Sequence, residues 1–174
     1  MDITEFLISS PLFKSFSQSE LDALAQALMV ERYPDGHVFM KEGQRGDAMY
    51  LILDGKVSVT RLNRHDRTVE HIHTMEKGEL FGLIALIDHG KRTATCTAVG
   101  EVTAAALLVS AFELLYDSDA PIAHHFQYLV ARQLAHDLRA LNHALLDVLF
   151  GRQDRVANLL HTVPHEFGEP SGGV

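Results

Sequence analysis

The sequence predicts an α+β fold, mainly β: short strands closing into a sandwich or barrel, helices before them, and one long helix after them. Three observations predict it. A helix-capping signature opens an amphipathic stretch near the N-terminus. Residues 33–109 break into short β-rich runs punctuated by glycines. Residues 120–149 then run without a single glycine.

Residues 1–32 read as helical. Ser17-Gln18-Ser19-Glu20 is a capping box, and Leu21, Leu24, Ala25 and Leu28 follow as one apolar stripe. Ser10-Pro11 separates an earlier short helix, about 3–9. The β-rich section holds the runs His37–Lys41, Met49–Leu53, Lys56–Leu62, Val69–Thr74, Thr93–Val99 and Val102–Leu108. Val57 and Val59 alternate with Ser58 and Thr60, as in a half-buried strand. Residues 110–149 return to helix: Ala111–Tyr116 is short, Asp117-Ser118-Asp119 punctuates, and 120–149 makes a helix of roughly 45 Å. Its single proline, Pro121, sits in the first turn, where it is tolerated. Leu134, Leu138, Leu141, Leu145 and Val148 repeat at heptad spacing, which predicts a homodimer seam. Residues 150–174 read as a flexible tail, with two helical turns at Gln153–His161 and then Pro164, Pro170 and Ser171-Gly172-Gly173.

Composition narrows the function classes. The 174 residues carry 15 Lys+Arg against 23 Asp+Glu, a net charge of −8, so this is not a strongly basic nucleic-acid binder. The hydrophobic fraction of 47% excludes global disorder. Cys96 is the one cysteine, too few for an intramolecular disulfide or a cysteine zinc site. The N-terminus is acidic where a signal peptide is basic, and no apolar run approaches the roughly 18 residues of a membrane span. The expectation is a soluble, cytoplasmic protein with no membrane partner.

The glycine-rich middle carries an ordered set of motifs. Pro11-Leu12-Phe13 and the leucine helix come first. Next come Tyr33-x-x-Gly36, then Glu42-Gly43-x-x-Gly46-Asp47-x-x-Tyr50-x-Ile52-x-x-Gly55-x-Val57. The cassette Gly78-Glu79-Leu80-Phe81-Gly82-Leu83-Ile84-Ala85-Leu86 precedes Arg92-Thr93-Ala94. Over about 10–149 this resembles the cyclic nucleotide-binding domain of catabolite-activator-type regulators, cyclic-nucleotide-dependent kinases and gated channels. The resemblance implies a jelly-roll, or double-stranded β-helix, barrel that binds cAMP or cGMP.

The residues of the cassette suit an anion on their own terms. Gly82 permits close approach, and Leu83–Ile87 can form one helical turn whose first amides point at a charge. Arg92 supplies a planar fork for phosphate oxygens, and Thr93 a hydroxyl for phosphate or base. The phosphate site is therefore Gly82, Leu83, Ile84, Ala85, Arg92 and Thr93. By resemblance, Val59, Ile72 and Phe81 wall the purine, and Asp137 faces the base from the long helix. His73 lines the pocket or its rim.

There is one clear departure. The family places Glu after this glycine, where its carboxylate accepts the ribose 2′-hydroxyl; here stands Leu83. Three explanations stay open: another acid such as Glu79 or Asp88 substitutes, the ligand presents no such hydroxyl, or nucleotide binding is lost. The family's proline before the arginine is replaced by Lys91.

Other constellations are set aside. His71-x-His73 lacks the spacing to glycine and acid that a cupin metal site needs, so no metal is expected. His124, His125, His136 and His143 read as solvated helix residues, and Cys96 as an inert strand residue. No nucleophile elbow, zincin or kinase motif is present, so no enzyme is expected. Only about 25 residues follow the long helix, which predicts no direct DNA contact. The expected function is a cyclic-nucleotide sensor that signals through its long helix to a protein partner the sequence does not name. The alternative is a dimeric scaffold whose degenerate pocket no longer binds nucleotide.

Overall fold

A computed structural model of the chain describes residues 2–63, 65–116 and 121–161. It divides into two compact units, residues 1–133 and 134–174. The Asp117-Ser118-Asp119 punctuation and the tail beyond residue 161 lie outside the described residues.

In the first unit, helix α1 spans Ile3–Ser9, capped by Asp2, whose side chain accepts from the Thr4 amide. Pro11–Phe13 forms a 3-10 turn. Helix α2, Gln18–Ala27, starts at the predicted capping box: the Ser17 amide donates to Glu20 Oε2 at 2.7 Å, and Ser17 Oγ accepts from the Glu20 amide. The stretch read as helical ends early, because Leu28 turns extended and Met29–Tyr33 is strand β1. Antiparallel pairing decides this: Met29–Glu31 lie opposite the small residues Ala104–Ala106, so a sheet neighbour outweighs a weak local pattern.

Strands β2 (Val38–Met40), β3 (Ala48–Leu62), β4 (Val69–Met75), β5 (Leu80–Phe81) and β6 (Thr95–Leu108) complete one sheet. All pairings are antiparallel, in the order β1-β6-β3-β4, with β2 also on β6 and β5 also on β3. This is the expected jelly-roll architecture. Two pairs of predicted strands are single long strands. Met49–Leu53 and Lys56–Leu62 join into β3, which shifts register on either side of Asp54. Gly55 makes that bend possible: its φ is +91°, and a Cβ there would lie 2.6 Å from the Glu101 carbonyl. β6 likewise runs through Gly100.

The roll encloses a core of Phe39, Met40, Ile52, Val57, Val59, Met75, Phe81, Cys96, Ala98, Val102 and Ala104. Helix α4, Val109–Tyr116, leaves β6 directly. Helix α5 spans Pro121–His161, and its first turns bury Ala123, Phe126, Leu129 and Val130. Phe126 packs edge-on against Phe112 at 5.5 Å, and lines one small apolar void together with Phe13, Leu24, Leu51 and Leu107. His125 Nδ1 lies 2.9 Å from Glu20 Oε1, tying α5 to the α2 cap.

The second unit holds α5 from Leu134 onward. The helix continues through Gly151 to His161, past the end at 149 read from sequence. Leu134 is half-buried, while Leu138 and Leu145 are exposed. The side chains of Leu141, Val148, His136 and His143 lie outside those described. Among the described residues, no helix is long and apolar enough to cross a membrane.

Candidate functional site

The cassette forms where strand β5 ends. Leu80 and Phe81 are buried and paired to β3, and Gly82 then turns the chain with a φ of +86°. No side chain fits at Gly82. A Cβ there would lie 2.8 Å from Arg92 Nη1 and from Met40 Cε, and 3.0 Å from the Ala48 carbonyl. Helix α3, Ile84–Ile87, follows at once, with Leu83 as its N-cap and no side chain capping it. The Leu86 and Ile87 amides donate to the Leu83 carbonyl at 3.0 and 3.2 Å, whereas the Ile84 and Ala85 amides precede the first such bond.

Arg92 is the polar centre of this arrangement, and it is only 4% exposed. Nη1 donates to the Gly82 carbonyl at 2.8 Å. Nη2 donates to the Ala48 carbonyl at 2.6 Å and to Asp47 Oδ1 at 3.0 Å. Its backbone is held as well: the Arg92 amide donates to the Gln44 carbonyl, and the Gly43 amide to the Arg92 carbonyl. The backbones of Arg45 and Lys91 pair beside them as one isolated antiparallel β-bridge. The 42–47 loop thus lies clamped on the cassette. Gly46 allows the contact, since a Cβ there would lie 2.8 Å from the Ala85 Cβ.

The surroundings bear on charge and reactivity. Tyr50 stacks on Phe81 at 5.2 Å, and burial first, then the Asp47 charge, raises its pKa. Burial pushes the Cys96 thiol up to about 11, which leaves it a core residue without thiolate chemistry at neutral pH. A buried cation and a helix start are groups that suit an anion, and here they lie on one glycine turn.

The predicted residues sort as follows. Gly82, Leu83, Ile84 and Ala85 share one turn, and Arg92 lies against it. The guanidinium, expected to face a ligand, is here engaged by three protein acceptors. Leu83 turns inward and is 4% exposed, whereas Ile84 is 45% exposed. Thr93 is exposed just after Arg92. Val59 and His73 face each other across β3 and β4, and Phe81 belongs to the same core cluster as Val59. Ile72 falls at the register shift and is exposed. Asp137 is exposed on α5 in the second unit. His71 Nε2 shares a hydrogen bond with Thr74 Oγ1.

Asp47 is the participant that sequence reasoning left without a role. Its signal was present, as an acid behind Gly46 at the start of a buried strand. Its partner stands 45 positions away, beyond the reach of local patterning.

Comparison with known proteins gives a consistent result. The family profile described as cyclic nucleotide-binding domain matches residues 30–119. The chain is 32% identical over 171 residues to a CRP-like cAMP-activated global transcriptional regulator of Mycobacterium tuberculosis, covering 97% of this chain and 74% of that protein. It is 41% identical over 112 residues to a cAMP-dependent protein kinase type II regulatory subunit of Drosophila melanogaster, covering 64% of this chain and 29% of that one. The crystal structure of the Thermus thermophilus catabolite activator protein aligns with a TM-score of 0.64 at 30% identity, over 81% of this chain and 62% of that one.

Proposed function

This chain belongs to the cyclic nucleotide-binding domain family, and from that premise we propose that it senses cAMP or cGMP and reports the liganded state through α5. The observation that carries this is the buried Arg92 held against Gly82 and the start of α3. A guanidinium has five N–H donors, and three are engaged by the protein. A cyclic phosphate carries one negative charge. It takes the remaining donors and displaces the Asp47 carboxylate, whose side chain is 81% exposed and returns readily to water. The bonds to the Gly82 and Ala48 carbonyls keep the fork in place. The purine rests on the Val59–His73 face of the roll, beside Phe81 and Ile72, and Thr93 supplies a hydroxyl.

Exchange at Asp47 is positioned to reach the helices. The Asp47 carbonyl accepts from the Val109 amide at 2.8 Å, and Val109 is the first residue of α4. A ligand shifts such an equilibrium only by its differential affinity for the two states, so the Asp47-for-phosphate exchange is the event that biases it.

Leu83 favours a second reading, a scaffold whose pocket no longer binds nucleotide, because it places a buried apolar residue on the phosphate turn. Isothermal titration with cAMP and with cGMP separates the two. The sensor reading expects saturable binding of at least one nucleotide and a raised melting temperature. No heat and no thermal shift at millimolar ligand would leave the scaffold.

In either reading we propose a homodimer built on Leu134, Leu138, Leu141, Leu145 and Val148. The exposed Leu138 and Leu145 support it. Light scattering is expected to give twice the chain mass, and a monomer at tens of micromolar would remove this part.

A further inference from the structure

Arg92 meets an incoming anion with its charge already answered. Its Nη2 donates to Asp47 Oδ1 at 3.0 Å, and the guanidinium is buried while that carboxylate is exposed. The acid is the member that faces water, and the pair carries no net charge. The chain as a whole carries −8. A phosphate has to be drawn in before it can displace Asp47, and Arg92 alone does not draw it.

Two other cations stand beside the same turn. Arg45 and Lys91 are Cα partners in the isolated antiparallel bridge. Residues opposite each other in such a bridge put their side chains on one face, about 5 Å apart at Cβ, and like charges there repel. Both are exposed, and among the described residues neither forms an ion pair. Glu42 instead accepts from the Leu62 amide and lies 3.9 Å from Arg61 Nε, and Asp88 accepts from the Gly90 amide. The bridge is fixed against the cassette. The Arg92 amide donates to the Gln44 carbonyl at 2.8 Å, the Gly43 amide to the Arg92 carbonyl at 2.9 Å, and Gly46 lies against Ala85 of α3. Lys91 Cα is about 3.8 Å from Arg92 Cα, and Arg45 Cα about 5 Å further. Both side chains therefore start within about 10 Å of Arg92, one Debye length at 0.1 M salt. Repulsion makes the pair a local cost to folding, and its positive potential is a gain only when an anion arrives.

We infer, on the premise of the sensor reading above, that Arg45 and Lys91 are the electrostatic entry to the site. They concentrate a monoanionic cyclic nucleotide at the turn and pass it to Arg92 without holding it in the bound state. Two unit charges about 8 Å from a monoanion in water enrich it about fivefold at low salt, and about 0.3 M salt screens most of that.

The test is stopped-flow association of the full chain with cAMP or cGMP bearing a fluorophore on C8 of the purine, at about 10 mM and about 300 mM salt. Arg45→Gln combined with Lys91→Gln is compared with Lys14→Gln combined with Arg32→Gln, which removes two exposed cations outside the cassette. Both variants lose two positive charges from the same −8. The first is expected to associate about three- to fivefold more slowly than the wild type at low salt, to converge with it at high salt, and to dissociate at the same rate. The second is expected to stay within about 1.5-fold of the wild type. Arg45→Lys keeps the charge and is expected to keep the rate, and no melting temperature is expected to fall on removing the Arg45–Lys91 pair. Equal slowing by both double variants, an unchanged rate in the first, or a change carried by dissociation would overturn the inference while leaving the sensor reading in place. A wild-type chain that binds neither unlabelled nucleotide by calorimetry would remove the sensor reading, and the entry with it.

Discussion

Replacing Arg92 with alanine is expected to abolish nucleotide binding and to cost stability at the same time. Two charged hydrogen bonds to phosphate are worth about 1.5–3 kcal/mol each, so the loss is at least about 100-fold. The stability cost has a separate cause. Without the guanidinium, the Gly82 and Ala48 carbonyls lose their donor in a buried place, at a cost of about 2–4 kcal/mol together. Asp47 adds little, because it faces water. Urea unfolding reads the second effect, and titration below the melting temperature reads the first. Arg92→Lys divides them: it keeps the charge but lacks the planar fork that spans three acceptors, so it is expected to bind weakly and still fall short of native stability. Unchanged affinity in a folded Arg92→Ala would remove the phosphate assignment.

The second large effect lies at Phe126. This ring is 1% exposed, packs edge-on against Phe112, and meets residues of the sheet and the N-terminal helices around one void. Phe126→Ala removes a buried aromatic from a site with little room to collapse, and is expected to cost about 3–5 kcal/mol in urea unfolding. A loss below about 1 kcal/mol would contradict the anchoring of the first turns of α5 on the first unit. The two variants differ in kind. One removes the proposed phosphate contact, which also ties the loop to the cassette, and the other removes packing without touching the cassette.

Much of this architecture is legible in the sequence because local signals and tertiary need agree. Ser17 and Glu20 announce the start of α2, and the capping box forms as written. Phe81-Gly82 followed by Leu83–Ile87 reads as strand, turn and helix, and does so in the fold. The misread elements are those where a distant neighbour decides. Met29–Tyr33 has a weak pattern of its own and becomes strand because β6 offers it a partner. Gly55 and Gly100 read as breaks between strands, yet each bends a strand that continues, which only the closed roll requires. Gly151 reads as the end of the long helix on propensity, a preference of about 1 kcal/mol that α5 overrides by running on to His161.

The site divides along the same line. Gly82 and Arg92 are recognisable as types at a spacing. That Arg92 lies buried on three protein acceptors, Asp47 among them, depends on contacts across 45 positions. The inward turn of Leu83 is equally tertiary, since a leucine beside a glycine says nothing of which way it faces. The consequence is a site whose one strong feature addresses charge. That matters in a chain of net charge −8, where attraction of an anion must be local.

The most direct test of that claim is a crystal structure of the protein grown with cAMP or cGMP at saturating concentration. The account predicts density for a cyclic phosphate within hydrogen-bond distance of the Arg92 guanidinium and the first amides of α3, with the Asp47 carboxylate released from Arg92. A nucleotide bound elsewhere on the chain, with Arg92 still joined to Asp47, would contradict it.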